Sequence, residues 1–159
     1  MKTLVIGEKE YTLEYSFAAA EHKGTVQKMF NVLSMSYVAK AGVDENADES
    51  SVAAAMIDGV SEMVADVPHI VKTAFYSGLL ENNPVSEEEA YELMKQYMKE
   101  NKFSYNKLFE DIKECMEEDG FFDLSGLTDI LQKTGENVQK AQKKSRKVPQ
   151  DHKKHITTK

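Results

Sequence analysis

Cysteine is almost absent from this chain. Cys115 is the one cysteine among 159 residues, so no disulfide can form within the chain, and this usage fits a reducing cytoplasm. Long apolar runs are also lacking, which predicts that nothing spans a membrane. Near the start, the short run from Leu4 to Ile6 ends at Gly7, which predicts no secretory signal peptide.

Catalytic and metal-binding motifs are missing as well. The sequence contains no glycine-rich phosphate loop, no nucleophile elbow and no HExxH. Four histidines are present, and only His152 and His155 have a ligand-like spacing, whereas a zinc site takes at least three protein ligands. The acidic loop around Asp44 resembles a calcium loop, but Glu49 stands where glycine is required and Ala55 where a bidentate glutamate is required. The chain therefore predicts no enzyme, no metal and no cofactor.

Charge is distributed unevenly along the chain. Residues 140–159 contain eight basic residues and one acidic residue, a net charge of +7, so residues 1–139 carry −14 of the total of −7. An acidic body makes nucleic acid an unlikely main partner, because phosphate binding needs clustered Lys and Arg. The basic end is either a solvated tail or an arm for an anionic surface.

The region 67–116 has the clearest helical pattern, with apolar residues recurring every three or four positions. Pro68 predicts a helix start, because proline suits the first helical turn. Pro84 predicts a break. Ser86 opens a capping box for a second helix, and Ser104 caps a third.

The flanking segments complete the predicted fold. Alternating residues on both sides of Gly7 predict a β-hairpin over residues 1–15, which must lie on the helices or pair with another chain. Ser16 predicts the cap of a short helix interrupted at Gly24, and Thr25 the cap of the next. We expect a mainly α fold: the hairpin followed by a compact bundle of about five to six amphipathic helices.

Domain boundaries follow from where apolar residues stop. Residues 1–134 predict a single helical domain that includes the hairpin. From Gly135 apolar residues nearly vanish, so 135–159 predict a basic, largely disordered tail that cannot bury enough surface to offset ordering entropy. Eight methionines and seven tyrosines suit either an adaptable binding groove or ordinary core filling.

Three stretches carry a family resemblance. The N-terminal LVIGEKEYTLEYSF, the central VPHIVKTAFYSGLLENNPVSEEEAYELM and the basic end resemble the small tail assembly chaperones of long-tailed bacteriophages, especially those of Gram-positive hosts. The likeness covers about residues 3 to 118. It implies a non-enzymatic protein of the host cell cytoplasm that coats the long, apolar, helical tape measure protein until tail tube subunits assemble around it. It also implies self-association to a homo-oligomer, a frequent longer frameshifted form, and absence from the mature virion.

Two sets of residues are predicted to make the contacts of such a chaperone. The client would meet helix faces, and subunits would join along the hairpin edge. The predicted client-binding residues are Phe75, Leu79, Leu93, Tyr97 and Phe109. The predicted self-association edge comprises Leu4, Ile6, Tyr11, Leu13 and Tyr15. Any of these that form the core of the monomer cannot face a client at the same time.

Two other functions stay open from the sequence. One is a nucleic-acid accessory protein that binds through the basic tail, which predicts an affinity that falls steeply with salt. The other is a minor virion protein, such as a tail completion or connector subunit. Finding the protein in purified particles would favour the latter.

Overall fold

The chain is mainly helical and begins with a two-stranded antiparallel hairpin, as the sequence predicts. This computed structural model describes residues 1–41 and 49–133, and side chains for 1–34 and 64–133. The elements are β1 (Lys2–Ile6), β2 (Lys9–Leu13), α1 (Phe17–Glu21), α2 (Lys23–Ala41), α3 (Glu49–Leu79), α4 (Glu87–Asn101), α5 (Tyr105–Glu118), α6 (Phe121–Leu124) and α7, which runs over 127–133 to the last described residue. The described part thus has seven helical segments, of which α1 and α6 are very short.

The hairpin turns on two residues, as the flanking pair Ile6 and Lys9 shows. Gly7 has a φ of +61° at the first central position, and Glu8 does not have a positive φ. A positive φ at the first position alone is the type II′ arrangement, which matches the twist of the strands and favours glycine. Leu4 and Leu13, on the inner face, are almost completely buried.

The C-terminal half of α3 is the centre of the core. It packs against β2, α4 and α5, while α2 lies along α3. Val71, Ala74, Phe75 and Leu79 have at most 1% of their surface exposed. These four residues recur over a little more than two turns and are enclosed by several partners, which is typical of a central helix.

Pro68 lies inside α3, so the predicted helix start at Pro68 is wrong. A proline within a helix removes one hydrogen bond and crowds the preceding turn, at a cost of about 3 kcal/mol. Val67, Ile70 and Val71 are buried on both sides of it, and this packing offsets the cost. Proline usually marks the first turn of a helix, but here tertiary packing allows the helix to continue through it.

The junction between α1 and α2 also differs from the prediction. Ser16 lies at the N-cap of α1 without a side-chain capping bond, and Gly24 and Thr25 lie inside α2. The break falls at His22, whose ring Nδ1 accepts from the backbone N–H of Thr25 at 3.2 Å. Histidine is not among the usual capping residues, so this cap could not be predicted from the sequence.

The other predicted helix boundaries are confirmed. Ser86 Oγ accepts from the Glu89 N–H at 3.1 Å, and Ser104 Oγ accepts from the Lys107 N–H at 3.2 Å. α3 ends at Leu79, ahead of Pro84. Gly120 follows α5 with a φ of +74°.

Several predictions concern residues outside the described part of the chain. The basic tail of 135–159 and most of the acidic loop of 42–50 fall there, as does the predicted boundary near residue 135. Within 1–41 and 49–133, no helix has the length and apolar character needed to cross a membrane.

Candidate functional site

Asp111 joins the hairpin to α5. Its carboxylate accepts from Lys2 Nζ at 2.8 Å and from Lys107 Nζ at 2.7 Å, and the residue is 9% exposed. Burial by itself disfavours the charged form, but the hydrogen bonds and charges of the two lysines outweigh it, and the pKa of Asp111 is lowered. The carboxylate is therefore held ionised as a structural contact.

Asp119 makes a second such contact at the end of α5. Its carboxylate accepts from the backbone N–H of Tyr15 at 2.9 Å and pairs with the ammonium group of Met1. Burial raises its pKa, yet the bonds from Met1 and Tyr15 prevail and the pKa of Asp119 is lowered. Asp111, Cys115 and Asp119 are four residues apart, so one face of α5 holds the hairpin.

Acid should release this face. Both aspartates have lowered pKa values in the folded protein, so their contribution is complete above the ordinary value of about 4 and is lost as the pH falls through the folded values. We expect the melting temperature to fall as the pH is lowered below about 4, and to fall less in Asp111→Asn, which has one such group fewer. Thermal melts monitored by circular dichroism test this, and equal slopes in both proteins would contradict it.

Cys115 is not an activated nucleophile. It is buried on the same face, and its Sγ contacts the carbonyl of Leu13 at 3.8 Å and Asp119 Oδ2 at 3.5 Å. Burial, followed by the charge of Asp119, raises the pKa of the thiol to about 11. A thiol with so high a pKa holds almost no thiolate at neutral pH.

Other titratable groups in the described residues form no recognisable catalytic or metal-binding set. No cluster of three or more His, Cys, Asp or Glu suited to a metal occurs there. An open cleft of about 480 Å³ lies between α3 and α4, lined by Lys72, Ser86, Glu88, Glu89, Tyr91 and Glu92. Lys72 and Lys95 place their ammonium groups 4.9 and 4.7 Å from the centre of the Tyr91 ring, so the ring already holds cations of this chain.

The structure divides the five predicted client-binding residues into two groups. Phe75 and Leu79 have no exposed surface and Tyr97 is 8% exposed, so all three belong to the core. Neither Phe75 nor Leu79 can face a client in this fold, because other parts of the chain cover both side chains completely. The prediction failed here because a stripe of apolar residues in a sequence does not show which neighbours will cover it. Leu93 and Phe109 are half-buried and stay at the surface.

Leu93 and Phe109 are part of a larger set. Six half-buried apolar or aromatic side chains lie on α4, on α5 or in the loop between them, and pack against the core from outside. We call this set the α4–α5 belt: Tyr91, Leu93, Met98, Phe103, Tyr105 and Phe109. Tyr91 and Tyr105 are neighbours: burial, followed by the nearby Tyr91, raises the pKa of Tyr105.

The predicted self-association edge is also divided. The side chains of Leu4, Ile6, Leu13 and Tyr15 are buried and Tyr11 is half-buried, so these four buried side chains cannot join subunits, and a contact along this edge would rely mainly on the backbone. The outer edge of β2 is occupied: Thr12 N–H donates to Asn83 Oδ1 at 2.7 Å and Glu14 N–H to the Gly78 carbonyl at 2.8 Å. Within the described part, the outer edge of β1 has no such partner along its length, whereas that of β2 is occupied at two positions.

The loop between α3 and α4 holds the hairpin and α1, which sequence reasoning missed. Glu81 Oε2 accepts from Ser16 Oγ and from the Ala18 N–H, both at 3.2 Å, and so caps α1 from a distance. Asn82 Nδ2 donates to Glu14 Oε2 at 2.7 Å. The sequence marks this loop only as a break, because its partners are more than 60 residues away.

Comparison with known proteins adds nothing to these contacts. No protein-family model, no curated protein and no solved structure matched the chain. The function is therefore inferred from the residues and their geometry.

Proposed function

We propose that this chain is a bacteriophage tail assembly chaperone. It would bind the apolar, helical tape measure protein, keep it soluble in the host cytoplasm, and help to recruit tail tube subunits during tail morphogenesis. Several copies would act together on one client and leave before the virion is complete. The resemblance of residues 3 to 118 to that family supports the proposal.

The α4–α5 belt is the observation that carries the proposal. Its members retain exposed surface although they contact the core, and Leu93 and Phe109 were predicted to meet a client. Aromatic and Met side chains are enriched at protein interfaces, where they bury a large apolar area. An apolar helix of the tape measure protein would contact part of this set through one of its faces.

Charge suits the same role. Residues 1–139 carry a net charge of −14, and much of the acid lies in α4 and α5. Glu110, Glu114, Glu117 and Glu118 are all exposed on α5. A strongly charged exterior keeps copies, and a client coated by them, from aggregating. Asp111 and Asp119 do not add to this charged exterior, because their carboxylates bond to groups of the same chain.

Co-expression tests the proposal. The tape measure protein of the same phage is produced alone and together with this chain, and its soluble fraction, the mass of the complex and its stoichiometry are measured. We expect the client to be soluble only in the presence of this chain, in a complex with many copies. Equal solubility with and without the chain would overturn the proposal. Recovery of the chain in purified particles would instead favour a virion subunit.

Substitutions then locate the client surface. The double variant Leu93→Glu, Phe109→Glu places charge in the α4–α5 belt and should lower the recovery of soluble client about tenfold, which corresponds to about 1.4 kcal/mol. Leu124→Glu is the matched control, since Leu124 is 44% exposed on α6 and outside the belt. Both proteins should melt cooperatively. Full client recovery with the double variant would remove the belt from the proposal.

A further inference from the structure

The two edges of the hairpin differ in a way that follows from its register. The pair beside a two-residue turn exchanges both backbone hydrogen bonds, so Lys2, Leu4 and Ile6 bond to β2. The backbone groups of Thr3 and Val5 then point away from β2, as those of Thr12 and Glu14 point away from β1. Thr12 and Glu14 have partners beyond the hairpin. No such partner of the Thr3 or Val5 backbone occurs within the described residues.

The β1 edge also lacks the features that keep strand edges apart. Edge strands are usually protected by proline, by a bulge or by charged side chains. β1 contains no proline, and its pairing with β2 has no bulge. Its one charged residue, Lys2, is drawn to Asp111 of the same chain. Thr3 is exposed and Val5 is 57% exposed. Both are residue types that favour strands, so this edge is suited to pairing.

We propose that β1 pairs with β1 of a second copy of this chain, antiparallel and about a two-fold axis, to form a four-stranded sheet. The register that pairs all five residues places Thr3 opposite Val5 of the partner copy and Leu4 opposite its counterpart. Thr3 and Val5 then exchange backbone hydrogen bonds twice across the axis. The sequence predicted only that the hairpin edge joins subunits, whereas this contact specifies one strand and one register. Its role in self-association rests on the proposed function.

A second copy fits this edge better than other occupants. A helical client has no free strand to add, because its backbone groups bond within the helix. The basic residues 140–159 contain eight charges and little alternation of strand-forming residues. β1 itself is rich in such residues, and in this register Lys2 faces Ile6 of the partner copy, so the two-fold contact opposes no like charges.

Cross-linking tests the register. Thr3→Cys and Val5→Cys chains are purified separately, mixed without client and oxidised. Facing residues in a hydrogen-bonded pair lie about 5.5 Å apart between Cα atoms, which a disulfide can span. We expect the mixture to form about tenfold more covalent dimer than either variant alone. Cys115 is buried and should not compete. Equal cross-linking in all samples would overturn the register. No cross-linking in any sample would overturn the pairing.

A matched pair on the closed edge is the control. Thr12→Cys and Glu14→Cys have the same spacing along the second strand, where Asn83 and Gly78 occupy the backbone N–H groups, so their mixture should stay monomeric on denaturing gels. Cross-linking there as strong as on β1 would show that collision, not pairing, joins the chains.

A backbone substitution tests the contact in solution. Val5→Pro removes an N–H that β2 does not use, and proline is tolerated on edge strands. Sedimentation should show a dissociation constant raised about tenfold or more, whereas Val5→Thr should dimerise normally. A dimer unaffected by Val5→Pro would overturn the proposal. Client solubility is a separate readout: if it fails while β1 cross-linking persists, the proposed function falls and the edge contact stands.

Discussion

Gly78→Ala is expected to lower the free energy of unfolding by about 3 kcal/mol. A Cβ at Gly78 would lie 2.8 Å from Cζ and 2.9 Å from the hydroxyl oxygen of Tyr15, distances that require one of them to move. Neither can move readily, because Tyr15 is completely buried and the Gly78 carbonyl accepts from Glu14 at 2.8 Å. Overpacking of this kind costs about 1–3 kcal/mol or more. Chemical denaturation measures the difference.

Gly24→Ala is the matched control for that substitution. Gly24 is also helical, but the nearest atoms to its Cβ position are side-chain atoms of His22 at 3.2 Å and Thr73 at 3.4 Å. Alanine gains up to about 1 kcal/mol of helix propensity there, so the net change should be small. If the two variants unfold alike, the close approach of Tyr15 is not what restricts residue 78.

Asp119→Ala is expected to cost about 2 kcal/mol. The substitution leaves the partly buried N–H of Tyr15 without its acceptor, and an unpaired donor of this kind costs about 1–3 kcal/mol. It also removes the partner of the Met1 ammonium group, which is exposed and adds little. Urea unfolding of the purified variant gives the value.

Two further variants separate the causes. Asp119→Asn keeps an oxygen that can accept from Tyr15 and should recover about half of the loss. Glu118→Ala changes the adjacent, exposed residue and should stay within about 0.5 kcal/mol of the parent protein. An Asp119→Ala protein as stable as the parent would show that the end of α5 does not hold the hairpin.

Features encoded within a few residues could be predicted from the sequence. Gly7, Ser86 and Ser104 each act on neighbouring backbone, and the structure confirms all three. The prediction at Pro68 was local too, but it failed because burial on both sides of the proline outweighs the lost hydrogen bond. Propensity is overridden where packing is densest.

The contacts that position the hairpin could not be predicted in this way. Asp119 and Tyr15 are 104 residues apart, and Thr12 and Asn83 are 71 apart. The spacing of Asp111 and Asp119 places them on one helix face, but nothing in a single sequence names their partners. For the same reason the apolar stripe of α3 could not reveal that Phe75 and Leu79 are completely buried.

The closing of the β2 edge has a consequence for synthesis. β1 and β2 are translated before the groups that occupy the outer edge of β2, which lie at residues 78 and 83. At about 5–20 residues per second, roughly 4–14 s pass between the end of β2 and Asn83. Until then a nascent chain presents two unpaired strand edges instead of one. Neighbouring chains on one polysome can therefore pair through β2 until Gly78 and Asn83 occupy it.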